Sequence, residues 1–132
     1  MKSPEYKKAR YRIFFCHIPP VGGGDNNVVL DVMNQDGVYE TKDTFQDPWH
    51  GDLEIRDKFL PLLLENKADL LISGHTHRFF DLNYRMGKKM MPAFINDNNS
   101  ALRVNVNSKQ ITIEMFDKDG KLLHTKEIKA RR

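Results

Sequence analysis

A chain of 132 residues with 39% hydrophobic and 30% charged residues and a formal net charge of +3 has the size and balance of one domain, 1–132, with a modest core. It has no apolar run long enough to span a bilayer, and Met1-Lys2-Ser3-Pro4-Glu5-Tyr6-Lys7-Lys8 lacks the apolar stretch of a signal peptide. One cysteine excludes an intrachain disulfide, and the terminal basic clusters (Lys7, Lys8, Arg10, Arg12; Lys129, Arg131, Arg132) lack the aromatic interleaving of a nucleic-acid surface.

Met1 to Arg10 is polar and is expected to be the tail of a helix or an exposed lead-in. It starts amid charges and without a cap, which suggests that the chain begins inside a longer protein. Tyr11-Arg12-Ile13-Phe14-Phe15-Cys16 is aromatic and β-branched, the composition of a strand, and Cys16 belongs to its apolar end. The strand stops at His17-Ile18-Pro19-Pro20, because two prolines cannot continue a sheet ladder. Val21 to Gly51 is a long excursion, with turn signals at Gly22-Gly23-Gly24, Asp36-Gly37 and Asp47-Pro48. It is either a binding loop or disordered. Val28 to Met33 within it is a short strand or a helical turn. Asp52 can cap a helix whose apolar positions Ile55, Phe59, Leu62 and Leu63 share a face. Pro61 either kinks that helix or opens a second segment, and the helix is expected to finish near Asn66-Lys67.

Leu70-Leu71-Ile72-Ser73 is the next strand, and it delivers Gly74-His75-Thr76-His77-Arg78. Strand, excursion with helix, and second strand form a βαβ-like unit, whose strands are expected to run parallel. His17, His75 and His77 then fall on the same rim. Gly74 is expected to let the backbone turn sharply, and residues i and i+2 of an extended chain share a face, so His75 and His77 can aim at one point. Two imidazoles so aimed suit a transition metal, and a solvated polar turn is the alternative. Arg78 can meet a phosphate or be a surface cation. His50 is a substrate-facing or a solvated loop residue, and His124 an exposed strand residue. Beyond Arg78, Phe79 to Tyr84 is an outgoing strand and Met86 to Asn99 is turn-rich. Leu102/Val104/Val106 and Ile111/Ile113/Met115 then alternate in an antiparallel meander that turns at Asn107-Ser108 and Asp119-Gly120 and ends with Leu122 to Ile128. The expected fold is α/β, with one mixed β-sheet, a helix and a C-terminal antiparallel meander.

Cys16-His17-Ile18-Pro19-Pro20 and Gly74-His75-Thr76-His77, joined by Trp49-His50-Gly51, Phe59-Leu60-Pro61-Leu62-Leu63 and Asp69-Leu70-Leu71-Ile72-Ser73, resemble the last two metal motifs of the calcineurin-like metallophosphoesterases, purple-acid-phosphatase-like branch. The likeness is close from Tyr11 to Phe80 and looser over Asp117-Lys118-Asp119-Gly120-Lys121. It implies the C-terminal half of a metallophosphoesterase-type α/β sandwich. It also implies a binuclear centre of divalent or trivalent transition metals (Zn, Fe or Mn) that hydrolyses phosphate esters with metal-activated water. On that resemblance His17 and His75 ligate one metal and His77 the other, and the parent protein is exported or periplasmic.

The family's Asp-x-His, Gly-Asp-x-x-Asp and Gly-Asn-His-Asp/Glu motifs do not occur here, and Gly24-Asp25-Asn26-Asn27 and Asp97-Asn98-Asn99 have the wrong order to replace them. The chain therefore resembles only a C-terminal portion, expected by itself to hydrolyse little or nothing and to bind metal weakly if at all. Two other readings stay open. The chain is a non-catalytic structural or interaction module with vestigial histidines, pairing with its missing N-terminal half or a second copy, or it binds a single metal through three histidines.

Overall fold

The computed structural model describes residues 1–20, 28–32 and 53–130. Its elements are α1 (Pro4–Lys8), β1 (Ile13–Phe15), β2 (Val28–Asp31), α2 (Leu53–Glu65), β3 (Leu70–Ser73), β4 (Phe80–Met86), β5 (Lys89–Ile95), β6 (Ser100–Val106), β7 (Gln110–Asp117) and β8 (Leu122–Lys129). The Gly22-Gly23-Gly24 segment, Asp25, the turns at Asp36-Gly37 and Asp47-Pro48, His50 and the Asp52 cap lie outside the described residues.

The strands form a mixed sheet in the order β1-β3-β5-β4-β2 and a separate antiparallel sheet, β6-β7-β8. β1 runs parallel to β3, with Ile13 opposite Leu70 and Phe15 opposite Ile72, as the βαβ reading expects. β3 in turn runs parallel to β5, so three neighbouring strands end on one rim. β4 is antiparallel to β5, and β2 lies parallel to β4 at the far edge, which makes Val28–Asp31 a strand rather than a helical turn. The meander is thus a second sheet packed on the first.

Period-two alternation sorts the side chains between two cores. On one face of the mixed sheet, Leu60, Leu63 and Leu64 of α2 pack with Leu71, Leu82, Tyr84, Met91, Ala93 and Ile95. On the other, Leu70, Ile72 and Phe94 meet Ile111 and Ile113 of the second sheet. Complete burial of each such Leu or Ile contributes about 1.5–3 kcal/mol, so β3, buried at all four positions, anchors both layers.

Three expectations need correction. The stretch Met86 to Asn99, expected to be turn-rich, contains β5, the central strand. Gly87 and Pro92 disguise it. Gly87 has φ +59 and opens a two-residue turn that closes the β4–β5 hairpin, while Pro92 stands opposite Asn83, one position before the β3 pairing begins at Ala93. The N-terminus is capped: Ser3 Oγ accepts from the Tyr6 N–H at 3.2 Å and starts α1, whose Tyr6 hydroxyl donates to Asn66 O at 2.9 Å. And His124 is not simply exposed. Its ring packs against Phe79 and Phe94, and its Nε2 lies 3.0 Å from Asp81 Oδ2.

α2 runs through Pro61 as one element and stops where expected. Lys67 takes a left-handed φ of +58, Lys67 N donates to Leu64 O at 3.2 Å, and Ala68 N donates to Leu63 O at 2.9 Å. These paired bonds satisfy the terminal carbonyls that every helix end leaves open. No helix among the described residues is long and apolar enough to cross a membrane.

Asp81, only 2% exposed, carries its carboxylate into the junction between the sheets. There it pairs with Lys126 and His124, and the Lys126 ammonium also lies 5.3 Å from the centre of the Phe94 ring. Removing the anion from a largely desolvated pair strands the Lys126 cation and leaves the His124 ring without its partner. Asp81→Ala is therefore expected to destabilise the chain by about 3 kcal/mol, read from urea denaturation. A loss under about 0.5 kcal/mol, the range of an ordinary surface change, would show that this junction is not held by charge.

Candidate functional site

The site is built from the carboxyl ends of the three parallel strands. β1 ends into His17, followed by the buried Pro19 and Pro20. His17 O accepts from Gly74 N at 3.0 Å, so the two chain ends leave the sheet bonded to each other. Beyond β5, Asn96 N donates to Ser73 O at 2.8 Å, which brings the β5–β6 connection to the same rim. The resulting concavity, of about 280 Å³, is lined by His17, Gly74, His75, His77, Asn96, Asp97 and Asn98.

The two histidines after β3 are not on extended chain. His75 has φ +69 and His77 φ +56. Thr76 N donates to Gly74 O at 2.8 Å, an i to i+2 bond around His75 that defines a γ-turn of the rare kind with positive φ. Thr76 is buried, and its hydroxyl donates to Arg78 O at 2.9 Å and accepts from Arg78 N at 3.3 Å, closing the bend over His77. Gly74 itself has no positive φ, and a Cβ there would meet Asn96 O at 3.9 Å and His17 O at 4.0 Å, ordinary contacts. The sharp turn expected of the glycine is made by the histidines, which bear a backbone conformation that costs an L-residue about 1–2 kcal/mol. Strain of this kind collects at functional sites and persists where neighbouring bonds enforce it.

The geometry joins two of the three expected ligands. His75 Nδ1 and His17 Nε2 lie 3.2 Å apart, with the rings nearly perpendicular at 80°. As free imidazoles the rings share a proton across that gap, one nitrogen donating and the other accepting. The same separation fits two nitrogens on a single metal. With metal–nitrogen bonds of about 2.0–2.1 Å and a near-tetrahedral angle, the donors stand roughly 3.3 Å apart.

His77 borders the same concavity, but among the described residues no group of three or more His, Cys, Asp or Glu side chains could hold a metal ion. The residues present fit one edge of one metal's coordination and do not complete a binuclear site. Arg78 is exposed and is not on the concavity wall.

Asp97 is the residue the sequence reading set aside. It stands on the wall half-buried, and its Oδ1 accepts from Asn99 N at 2.8 Å. Asn96 and Ser100 brace the connection: Asn96 Nδ2 donates to Ser100 O at 2.9 Å, and Ser100 Oγ donates to Asn96 Oδ1 at 2.8 Å. A strand assignment for Lys89–Ile95 would have found Asp97, since it follows directly from a third parallel strand end. Cys16, next to His17, packs against the helix-side core, and burial pushes its thiol from 9.0 up to about 11. It is a neutral thiol at physiological pH and a poor metal thiolate.

No protein-family model matches this chain, and no curated protein is significantly similar to it.

Two outcomes check this geometry. Gly74→Ala is expected to change stability by no more than about 0.5 kcal/mol, whereas His77→Gly is expected to raise it by about 1 kcal/mol as left-handed strain is relieved. Chemical denaturation measures both, and a destabilised His77→Gly would show that the ring, not the backbone, dominates there. For Cys16 the folded-state value lies above the ordinary one, so its contribution to stability is complete below pH 9.0 and is lost as the pH rises toward about 11. Alkylation by iodoacetamide at pH 7 should accordingly be much slower for the folded chain than for the chain in urea, and equal rates would refute the burial of the thiol.

Proposed function

We propose that this chain supplies the carboxyl-terminal part of a metal-dependent phosphoesterase centre, with His17 and His75 on one metal and His77 on another. The observation that supports it is the 3.2 Å approach of His75 Nδ1 to His17 Nε2, across the ends of two adjacent parallel strands. These residues lie far apart in sequence, and each is led to the rim by a buried or partly buried strand. The resemblance of both motifs to the metallophosphoesterases adds to this reading.

Metals bound there would supply Lewis acidity toward a phosphoryl oxygen and a water acidified enough to attack phosphorus near neutral pH. The chain's own residues would hold and orient. His17 and His75 present nitrogen lone pairs, and the hydrogen-bonded strand ends fix their spacing. Asp97 puts a carboxylate on the wall, which repels a bare phosphate and favours a cation at the rim first. Asn98, exposed on the same wall, can donate an amide N–H to a phosphate ester's oxygen. The carboxylates that would bridge two metals belong to motifs this sequence does not contain, so the isolated chain is proposed to be inactive or nearly so.

A second reading rests on Phe15, which is 70% exposed on β1, an edge strand of the mixed sheet. An apolar ring on an open edge suits an interaction module that pairs with an N-terminal half or a second copy. Calorimetric titration of the chain with Zn²⁺ or Mn²⁺ discriminates. The metal reading expects weak 1:1 binding, lost in His17→Ala and His75→Ala and retained in His124→Ala. Heat that is absent, or unchanged in those variants, leaves the interaction reading, whose second-copy form requires self-association in sedimentation. Turnover of p-nitrophenyl phosphate abolished by His75→Ala would overturn the proposed inactivity.

A further inference from the structure

The three parallel strands have a second end, and its chemistry is opposite. Arg12 stands ahead of β1, Lys67 ahead of β3, and Lys88 and Lys89 at the turn into β5. With Arg10 they line a cavity of about 660 Å³, whose remaining wall is Ala9, Leu64 and Met90. Five of its eight lining residues are cationic and none is acidic, although the whole chain has 21 Lys and Arg against 18 Asp and Glu. The concentration is therefore a product of the fold and not of composition.

Two of the cations are built into the structure. Arg12 Nε donates to Tyr6 O at 3.1 Å and Nη2 to Lys7 O at 3.3 Å, with the guanidinium 4.9 Å from the centre of the Tyr6 ring. Arg10 Nη1 donates to Ser108 O at 2.6 Å. These acceptors are neutral carbonyls, so they orient the arginines without cancelling their charge. The three lysines are exposed and make no ion pair with any described residue, and the left-handed φ of +58 fixes how Lys67 leaves α2. The carboxyl end of α2 brings about half a negative charge, and the buried Asp69 carboxylate, which accepts from Arg12 N at 2.8 Å behind the cavity wall, brings one more, so most of the five positive charges stay unmatched.

The volume falls in the range of small-molecule sites. One phosphate would leave most of the charge unmatched, and no aromatic ring lines the cavity to stack a nucleobase. We propose that this cavity binds a small molecule carrying several linked phosphate groups, at the end of the sheet opposite the histidines.

Inorganic tripolyphosphate, titrated into the full chain at low salt and at 150 mM salt and followed by calorimetry and by backbone amide shifts, tests this. The expected result is saturable 1:1 binding that weakens with salt. Amide shifts should cluster at Arg12, Lys67-Ala68 and Lys88-Lys89. The combined Lys67→Gln, Lys88→Gln, Lys89→Gln variant should bind at least about tenfold more weakly, since each exposed charge contributes modestly. Lys88→Gln alone, on an exposed hairpin turn, should weaken binding severalfold without disturbing the fold, and His17→Ala should bind as the parent does. Absence of saturation, unchanged affinity in the lysine variants, or loss of binding in His17→Ala would each overturn the proposal. So would a mixed-sequence oligonucleotide that binds more tightly than tripolyphosphate at matched phosphate concentration, because it would assign the cations to nucleic acid.

Discussion

Parallel pairing of β1, β3 and β5 is the constraint on which the other features depend. Because the strands share a direction, their carboxyl ends form one rim and their amino ends another. Residues that leave strands at Cys16, Ser73 and Ile95 are gathered although the chain separates them by tens of positions. β3 has four residues, so at about 3.3 Å each the two rims lie roughly 13 Å apart through the protein. One rim carries imidazoles and a carboxylate, the other guanidinium and ammonium groups. Such a separation would keep the cations from repelling a metal ion held as proposed at the histidines.

The sheet can impose this only because both its faces are occupied. α2 covers one and the second sheet the other, leaving β3 no freedom to shift register, since a one-residue slip would exchange Leu70 and Ile72 with Leu71 between two differently shaped cores. The junction of the sheets is not wholly apolar. Asp81 holds Lys126 and His124 across it, and the ring contacts of His124 tie in Phe79, two residues after His77. The bend that presents the histidines is therefore anchored at Ser73 in the sheet and at Phe79 against the second sheet.

Between those anchors the backbone is held in conformations that non-glycine residues rarely adopt. Two left-handed histidines in three residues, stapled by the buried Thr76 hydroxyl, give the bend a fixed shape. Fixed ring positions are what a coordination site requires, since side chains free to wander would give up entropy on binding. The approach of His75 to His17 is set in this way by backbone bonds at Gly74 and not by the imidazoles' own attraction.

Much of the first half was legible. Apolar continuity marked β1 and β3, the helical period marked α2, and the long connection between them implied a parallel pair, which placed His17 and the His75/His77 bend on one rim. The antiparallel meander followed from strict alternation at Leu102, Val104, Ile111 and Ile113. β5 was hidden because Pro92 and Gly87 signal turns locally, whereas in the sheet each falls where the ladder tolerates it, and with β5 went Asp97. The bend was misjudged because spacing says that two histidines are near each other and not what φ they adopt; that depends on Thr76 finding Arg78. Nothing in the sequence marked Arg10, Arg12, Lys67, Lys88 and Lys89 as neighbours, or Asp81 as the partner of His124 and Lys126. The sequence by itself determined where β1, α2, β3 and the meander strands lie and that His17 and the His75/His77 pair follow strand ends, because hydrophobic periodicity and residue type are local properties. Tertiary structure alone decided which of those residues meet, because charges and ring nitrogens interact through space, and strand direction and register set the distances.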